Sequence, residues 1–133
     1  QLHHTTIMET GGMKGRRKEL IREELHEQLK KGFGVDSIHS EYGMTELLSQ
    51  AYSKGMGVFE PSSSMRVFIR DVHNPKKVSL TGSGGLNIID LSNKESCAFI
   101  ATQDLGRCHD NGQFEVLGRF DAADVRGCSL MTA

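Results

Sequence analysis

The sequence predicts a mixed α/β (α+β) chain, with a β-α-β-α segment of a parallel sheet followed by an antiparallel meander or small distorted barrel. Three observations predict it. Leu20, Ile21, Leu25 and Leu29 place apolar side chains on one stripe of a helix. Short apolar runs bounded by glycine flank that stripe on both sides, as strands do around a crossover helix. Beyond residue 64 the texture becomes short alternating runs separated by turn residues, which is the pattern of antiparallel strands.

In chain order, Thr5 to Thr10 reads as a short buried strand, broken by Gly11-Gly12. Arg17 to Lys31 reads as the amphipathic helix, stopped by Gly32 and Gly34. Val35 to Ser40 is the second strand candidate. After a glycine turn at Gly43, Thr45 to Tyr52 reads as a short helix. Met65, Val67 and Ile69 alternate with Arg66, Phe68 and Arg70, which signals a half-buried strand. Leu86 to Leu91, Ser96 to Ala101 and Gln113 to Leu117 follow as further strands. Thr81 to Gly85 reads as a hairpin turn, and Asn111-Gly112 as a hairpin connection. The expected organisation is a β-α-β-α part over 1–53 and a mostly β part over 65–133, both pieces of one larger unit of which 1–133 is a C-terminal fragment.

Bulk properties narrow the function. With 133 residues, 16 Lys+Arg and 17 Asp+Glu, the net charge is -1, so no basic field exists for nucleic acid. No apolar run approaches the roughly 20 residues of a membrane span. Cys97, Cys108 and Cys128 form no CxxC pair, which excludes the common zinc spacing and points to a reducing, cytoplasmic setting. Cys108-His109 is adjacent in a strand, where neighbours face opposite ways, so it is not read as a nucleophile–base pair. His39 reads as a core histidine, Lys14 as a surface lysine, and Met13, Met44, Met56 and Met65 as core fillers.

The segment Glu41-Tyr42-Gly43-Met44-Thr45-Glu46 lies between a predicted strand and a predicted helix, where α/β sheets place ligands. Gly43 admits close approach of a flat base. The Thr45 hydroxyl suits a phosphate at a helix N-terminus. Glu46 suits Mg²⁺, a hard cation that takes oxygen ligands. Spacing alone equally fits a helix start capped by Thr45, with Glu46 favouring the dipole.

Tyr42-Gly43-Met44-Thr45-Glu46 resembles the Tyr-Gly-x-Thr-Glu motif of adenylate-forming enzymes, the acyl- and aryl-CoA ligase superfamily. Three further segments agree in order. Thr10-Gly11-Gly12 resembles the glycine turn before the adenine pocket. Thr102-Gln103-Asp104-Leu105-Gly106 resembles the Thr-x-Asp segment, with Gln103 where many relatives have glycine. Gly118-Arg119-Phe120-Asp121 resembles the Gly-Arg-x-Asp segment. The likeness runs from about Thr6 to Met131. It is nearest to the acyl-protein synthetases, the LuxE-like fatty-acid–luciferin-component ligases, through His39 to Glu46, Leu86 to Leu91 and Val125 to Leu130.

The resemblance implies part of an adenylate-forming N-terminal domain, with ATP and AMP as nucleotide and Mg²⁺ as metal. It implies roles for Gly11, Gly12, Glu41, Tyr42 and Gly43 around adenine, for Thr45 at phosphate, for Glu46 at Mg²⁺, for Asp104 at the ribose hydroxyls, and for Arg119 at ribose or phosphate. It implies a fatty acid or other carboxylate as substrate and Cys128 as acyl acceptor, with an acyl reductase or other acceptor protein as partner. Arg126 beside Cys128 suits a lowered thiol pKa, although an isolated cysteine is as readily a small buried residue.

The resemblance implies that the superfamily's triphosphate loop lies before Gln1, and the expectation is that its mobile C-terminal domain does not follow Met131. The short tail points to the acyl-protein synthetases. The other expectations are a trimmed acyl- or aryl-CoA ligase, and an inactive binding module that pairs with a second copy.

Overall fold

The computed structural model of the chain describes residues 4–11 and 22–120. It shows a mixed sheet with a single α-helix among the described residues. β1 (Met8–Thr10) precedes α1 (Arg22–Phe33) and β2 (His39–Tyr42), and β1 and β2 pair in parallel, Thr10 opposite Glu41. β3 (Ala51–Ser53) and β4 (Val58–Pro61) follow as antiparallel neighbours. The rest is β5 (Met65–Arg70), β6 (Val78–Ser79), β7 (Gly82–Asp90), a 3₁₀ turn Leu91–Asn93, β8 (Phe99–Cys108) and β9 (Phe114–Arg119). These make one nine-stranded sheet in the order β1-β2-β3-β4-β9-β8-β7-β5-β6. No helix among the described residues is long and apolar enough to cross a membrane.

Several elements follow directly from local sequence. Along β5 the burial alternates as the residue types do, with Met65, Val67 and Ile69 inward. The Asn111-Gly112 connection joins β8 to β9, with Gly112 at φ 83°, a conformation that costs glycine nothing. α1 carries Glu23 and Glu24 in its first turn and Lys30 and Lys31 in its last, matching the macrodipole. It ends at Gly34, φ 66°, whose N–H returns to the Lys30 carbonyl at 2.8 Å. Its buried anchor is a polar one. His26 sits between Glu9 of β1 (3.5 Å) and Ser40 of β2 (3.4 Å), while Leu25 and Leu29 are only half-buried.

Three expectations are corrected. Thr45 to Tyr52 is not a helix: a turn at Thr45–Glu46 leads through bends into β3. Two backbone amides that a helix would need for its own ladder, those of Leu48 and Ser49, go instead to the Asp90 carboxylate, both at 2.8 Å. Thr81 to Gly85 is not a hairpin turn either, because Gly82 to Gly85 lie inside β7. The glycines there answer to close packing. A Cβ on Gly84 would fall 2.5 Å from the Arg70 carbonyl oxygen, across the strand pair. Met56 is not core: it is 94% exposed at φ 58°, in the β3–β4 turn. Met65 is buried and Met44 packs against the core as expected, and Met13 lies outside the described residues.

The core is one cluster that includes Tyr42, Phe59, Val67, Leu86, Cys108 and Phe114. It draws on β2 at one side of the sheet and β5 at the other, so the sheet must curl around it. The clearest measure is Tyr42 on β2, whose hydroxyl lies 2.7 Å from Asp104 on β8 although β3, β4 and β9 stand between them in the sheet order. In a flat sheet, spacings of about 4.8 Å would hold those strands about 19 Å apart.

Candidate functional site

Tyr42 ends β2, one strand from the end of β1. Thr10 and Glu41 face each other across this parallel pair, so Gly11 and Gly43 both leave it at its carboxyl edge. Gly11 turns at φ 73°. That edge is where open α/β sheets bind ligands. Gly43 is exposed, and a Cβ there would meet Gln50 Cγ at 3.3 Å, with the Glu41 carboxylate 3.9 Å away.

The Tyr42 ring is held by edge-to-face contact with Phe114 at 5.3 Å and tilted contact with Phe59 at 6.0 Å. Its hydroxyl donates to Asp104 Oδ2. Burial raises its pKa well above the ordinary tyrosine range, and the Asp104 hydrogen bond and negative charge raise it further. Tyr42 is therefore a neutral donor at every physiological pH, and its ring belongs to the core as much as to the site.

Asp104 owes its position to a bulge. Between the pairs Gly85–Leu105 and Asn87–Ala101, β7 has the single residue Leu86 while β8 has Thr102, Gln103 and Asp104. The buried Thr102 hydroxyl closes the bulge, donating to the Leu86 carbonyl at 2.9 Å and accepting the Asp104 N–H at 3.0 Å. Asp104 Oδ1 lies 3.6 Å from Arg119 Nε, and the Arg119 side chain is 69% exposed. Arg119 also donates to Gln103 Oε1 at 3.2 Å. A carboxylate accepts through about four lone-pair directions. With one oxygen met by Tyr42 and the other by an exposed arginine, Asp104 retains acceptor capacity beside a cation.

The structure thus brings Tyr42, Asp104 and Arg119 together. Thr45 and Glu46 are exposed, on the turn closed by the Leu47 N–H to Met44 carbonyl bond of 3.0 Å. With no helix there, no helix dipole favours a phosphate at Thr45, whose hydroxyl is a simple hydrogen-bonding group. No group of three or more His, Cys, Asp or Glu side chains suited to a metal occurs among the described residues. Glu46 fits Mg²⁺ only in the sparse manner that ion favours, one carboxylate with substrate phosphates and water completing the shell. Gly12, Lys14, Asp121, Arg126 and Cys128 lie outside the described residues. Cys108 is buried, and burial pushes its thiol up to about 11 against the opposing charge of Arg66. His109 turns to Glu115 at 2.9 Å.

Three residues that shape the site were not singled out from the sequence. Asp90 is fully buried and accepts from the amides of Leu48, Ser49 and Ser92 and from the Ser49 hydroxyl at 2.6 Å. Burial alone would raise its pKa, but these hydrogen bonds outweigh it and hold the carboxyl below its usual range. Asn93 donates to the Glu46 carbonyl at 2.7 Å. Together they fix the turn that carries Thr45 and Glu46. The sequence signal was Asp90-Leu91-Ser92-Asn93, an Asx-type turn after a strand. Arg70 is the third, donating to the Thr102 carbonyl at the bulge.

No family model matches the chain, and no curated protein matches it. Solved structures do. The ATP-bound RpMatB-BxBclM chimera B3 matches over 72% of this chain and 23% of its own, at 19% identity and a TM-score of 0.54. The luciferase-like enzyme from the nonluminescent Zophobas morio mealworm matches over 85% of this chain and 31% of its own, at 18% identity and a TM-score of 0.54. The chain therefore shares its fold with less than a third of the length of these two proteins.

Proposed function

We propose that this chain is the nucleotide-binding part of an adenylate-forming enzyme that activates a carboxylic acid, a fatty acid being the expected substrate. The observation that carries the reading is the Tyr42–Asp104–Arg119 constellation, in which the distant Tyr42 meets the cross-strand pair Asp104 and Arg119 beside the carboxyl edge of a parallel strand pair. The fold shared with an ATP-bound protein and with a luciferase-like enzyme supports it.

In this reading Asp104 accepts hydrogen bonds from the ribose hydroxyls, and Arg119 offers its exposed guanidinium to ribose or phosphate. Gly11, Gly12, Glu41, Tyr42 and Gly43 border the base, and Thr45 meets phosphate. Mg²⁺ held through Glu46 would neutralise phosphate charge. A carboxylate oxygen of the acid bonds to the α-phosphorus of ATP as the bond to the bridging oxygen breaks, releasing pyrophosphate and leaving acyl-AMP. The thiolate of Cys128 then bonds to the acyl carbon and AMP leaves, giving a thioester for an acceptor protein. Carboxylate-dependent exchange of labelled pyrophosphate into ATP, by the protein that contains this chain, tests the first step. No exchange with acids from acetate to long-chain fatty acids would sink it. Cys128→Ser should keep exchange and lose the acyl-protein; persistence of acyl-protein would remove Cys128 from the scheme.

A second reading has a specific observation in its favour. The chain spans less than a third of the structures it matches, which suits a piece that binds nucleotide without turnover. Measurable AMP binding with no exchange by the chain alone distinguishes it.

A further inference from the structure

The bulge that presents Asp104 is pinned from a strand that carries none of the motifs. Arg70, the last residue of β5, pairs in register with Gly85 of β7. Its guanidinium donates through Nη2 to the Thr102 carbonyl at 2.8 Å and through Nη1 to Asn87 Oδ1. Thr102, next to Ala101 on β8, and Asn87, the partner of Ala101 on β7, stand at the same end of the bulge, so one planar group ties the two strands together there. Its Cζ lies 5.8 Å from the centre of the Phe120 ring, and the Phe120 N–H donates to the Gln103 carbonyl at 2.7 Å. Gly85 makes the approach feasible: a Cβ there would stand 2.7 Å from Nη2 and 3.0 Å from Phe120 Cε2. A bulge leaves backbone groups outside the ladder, and here Arg70 and the Thr102 hydroxyl take them up.

We propose that Arg70 is a positioning residue for ribose recognition, acting on Asp104 by holding the Thr102–Asp104 bulge in the geometry that aims the carboxylate at Tyr42 and Arg119. Arg70 forms no hydrogen bond or ion pair with Asp104; its leverage passes through the Thr102 carbonyl and the Asn87 amide. Lysine carries its three donors on one nitrogen at the end of a flexible stem, where arginine holds two nitrogens in a fixed plane, so it cannot reproduce both bonds in the same geometry. The inference rests on the nucleotide reading above, and its test separates the two.

Titration calorimetry compares AMP with 2′,3′-dideoxy-AMP on the chain and its variants, with thermal unfolding alongside. Wild type should prefer AMP by about tenfold or more, because the diol bonds to a charged acceptor. Arg70→Gln should lower AMP affinity, leave dideoxy-AMP nearly unchanged and bring the ratio close to one. Arg70→Lys should recover part of the ratio. On an Asp104→Asn background Arg70→Gln should change AMP affinity by less than about twofold, since the group it aims has gone. If Arg70→Gln fails to fold, Asn87→Leu removes one of the two acceptors and should reduce the same ratio. A ratio preserved in Arg70→Gln, or an equal loss for both ligands, overturns the inference and leaves Arg70 merely structural. Failure of wild type to bind either ligand overturns the nucleotide reading itself, and this inference with it.

Discussion

Asp90→Asn is nearly isosteric, yet it strikes the junction of three segments. The carboxylate accepts from four donors, two at each oxygen: the Leu48 and Ser49 amides at Oδ2, and the Ser49 hydroxyl and Ser92 amide at Oδ1. An asparagine keeps one acceptor oxygen. In its better orientation that oxygen serves the two loop amides, and the new NH₂ faces the Ser92 amide and the Ser49 hydroxyl. The hydroxyl can rotate to accept, but the amide cannot. Losing one charge-assisted bond and neutralising the others comes to about 3 kcal/mol, or roughly 10 °C in Tm for a domain of this size. Urea unfolding at pH 7 measures it.

The pH dependence gives an independent check. Asp90 has a folded pKa below its unfolded value of about 3.9. Its contribution is therefore complete above about pH 5 and is lost as pH falls through the folded pKa. The gap between wild type and Asp90→Asn should be full at neutral pH and narrow steadily below pH 5. A variant within 1 kcal/mol of wild type at pH 7, or a gap constant from pH 7 to pH 3, would refute the reasoning.

Other perturbations have equally direct readouts. Tyr42→Phe deletes the hydroxyl that donates to Asp104; it should cost about 1.5–3 kcal/mol by urea unfolding, and equal stability would mean the bond has no net worth. Gly106→Ala would place a Cβ 2.4 Å from the Glu115 carbonyl oxygen and 2.6 Å from Leu86 Cδ2, so a loss of about 2–4 kcal/mol is expected from the forced backbone shift. In native protein at pH 8 a thiol reagent should modify the exposed Cys97 and spare Cys108, which is buried with its pKa pushed up to about 11. Cys108 should react only on unfolding or at strongly alkaline pH, and fast native labelling there, mapped by peptide mass, would contradict its burial.

Legibility followed the range of the interactions involved. The alternation of β5 and the Asn111-Gly112 hairpin were readable because each depends on a few adjacent residues and their own backbone preferences. The motif residues Tyr42, Asp104 and Arg119 were picked out by their sequence company. Thr45 to Tyr52 was misread because its decisive partner, Asp90, lies some forty residues away and takes the amides a helix would use. Gly82 to Gly85 was misread because glycine serves turns and close approach alike, and only the neighbour Arg70 shows which applies.

By itself, then, the sequence determined the strand-rich second half and the amphipathic helix with its glycine stop, and it singled out the side chains proposed to carry chemistry. These rest on periodicity and local conformational preference, which each segment expresses on its own. Only the tertiary structure decided that Tyr42 and Asp104 share a hydrogen bond, that a bulge pinned by Arg70 presents the carboxylate, and that Asp90 shapes the turn bearing Thr45 and Glu46. The sheet's curl brings distant strands within bonding distance, and buried donors and acceptors must then find partners wherever the chain has placed them.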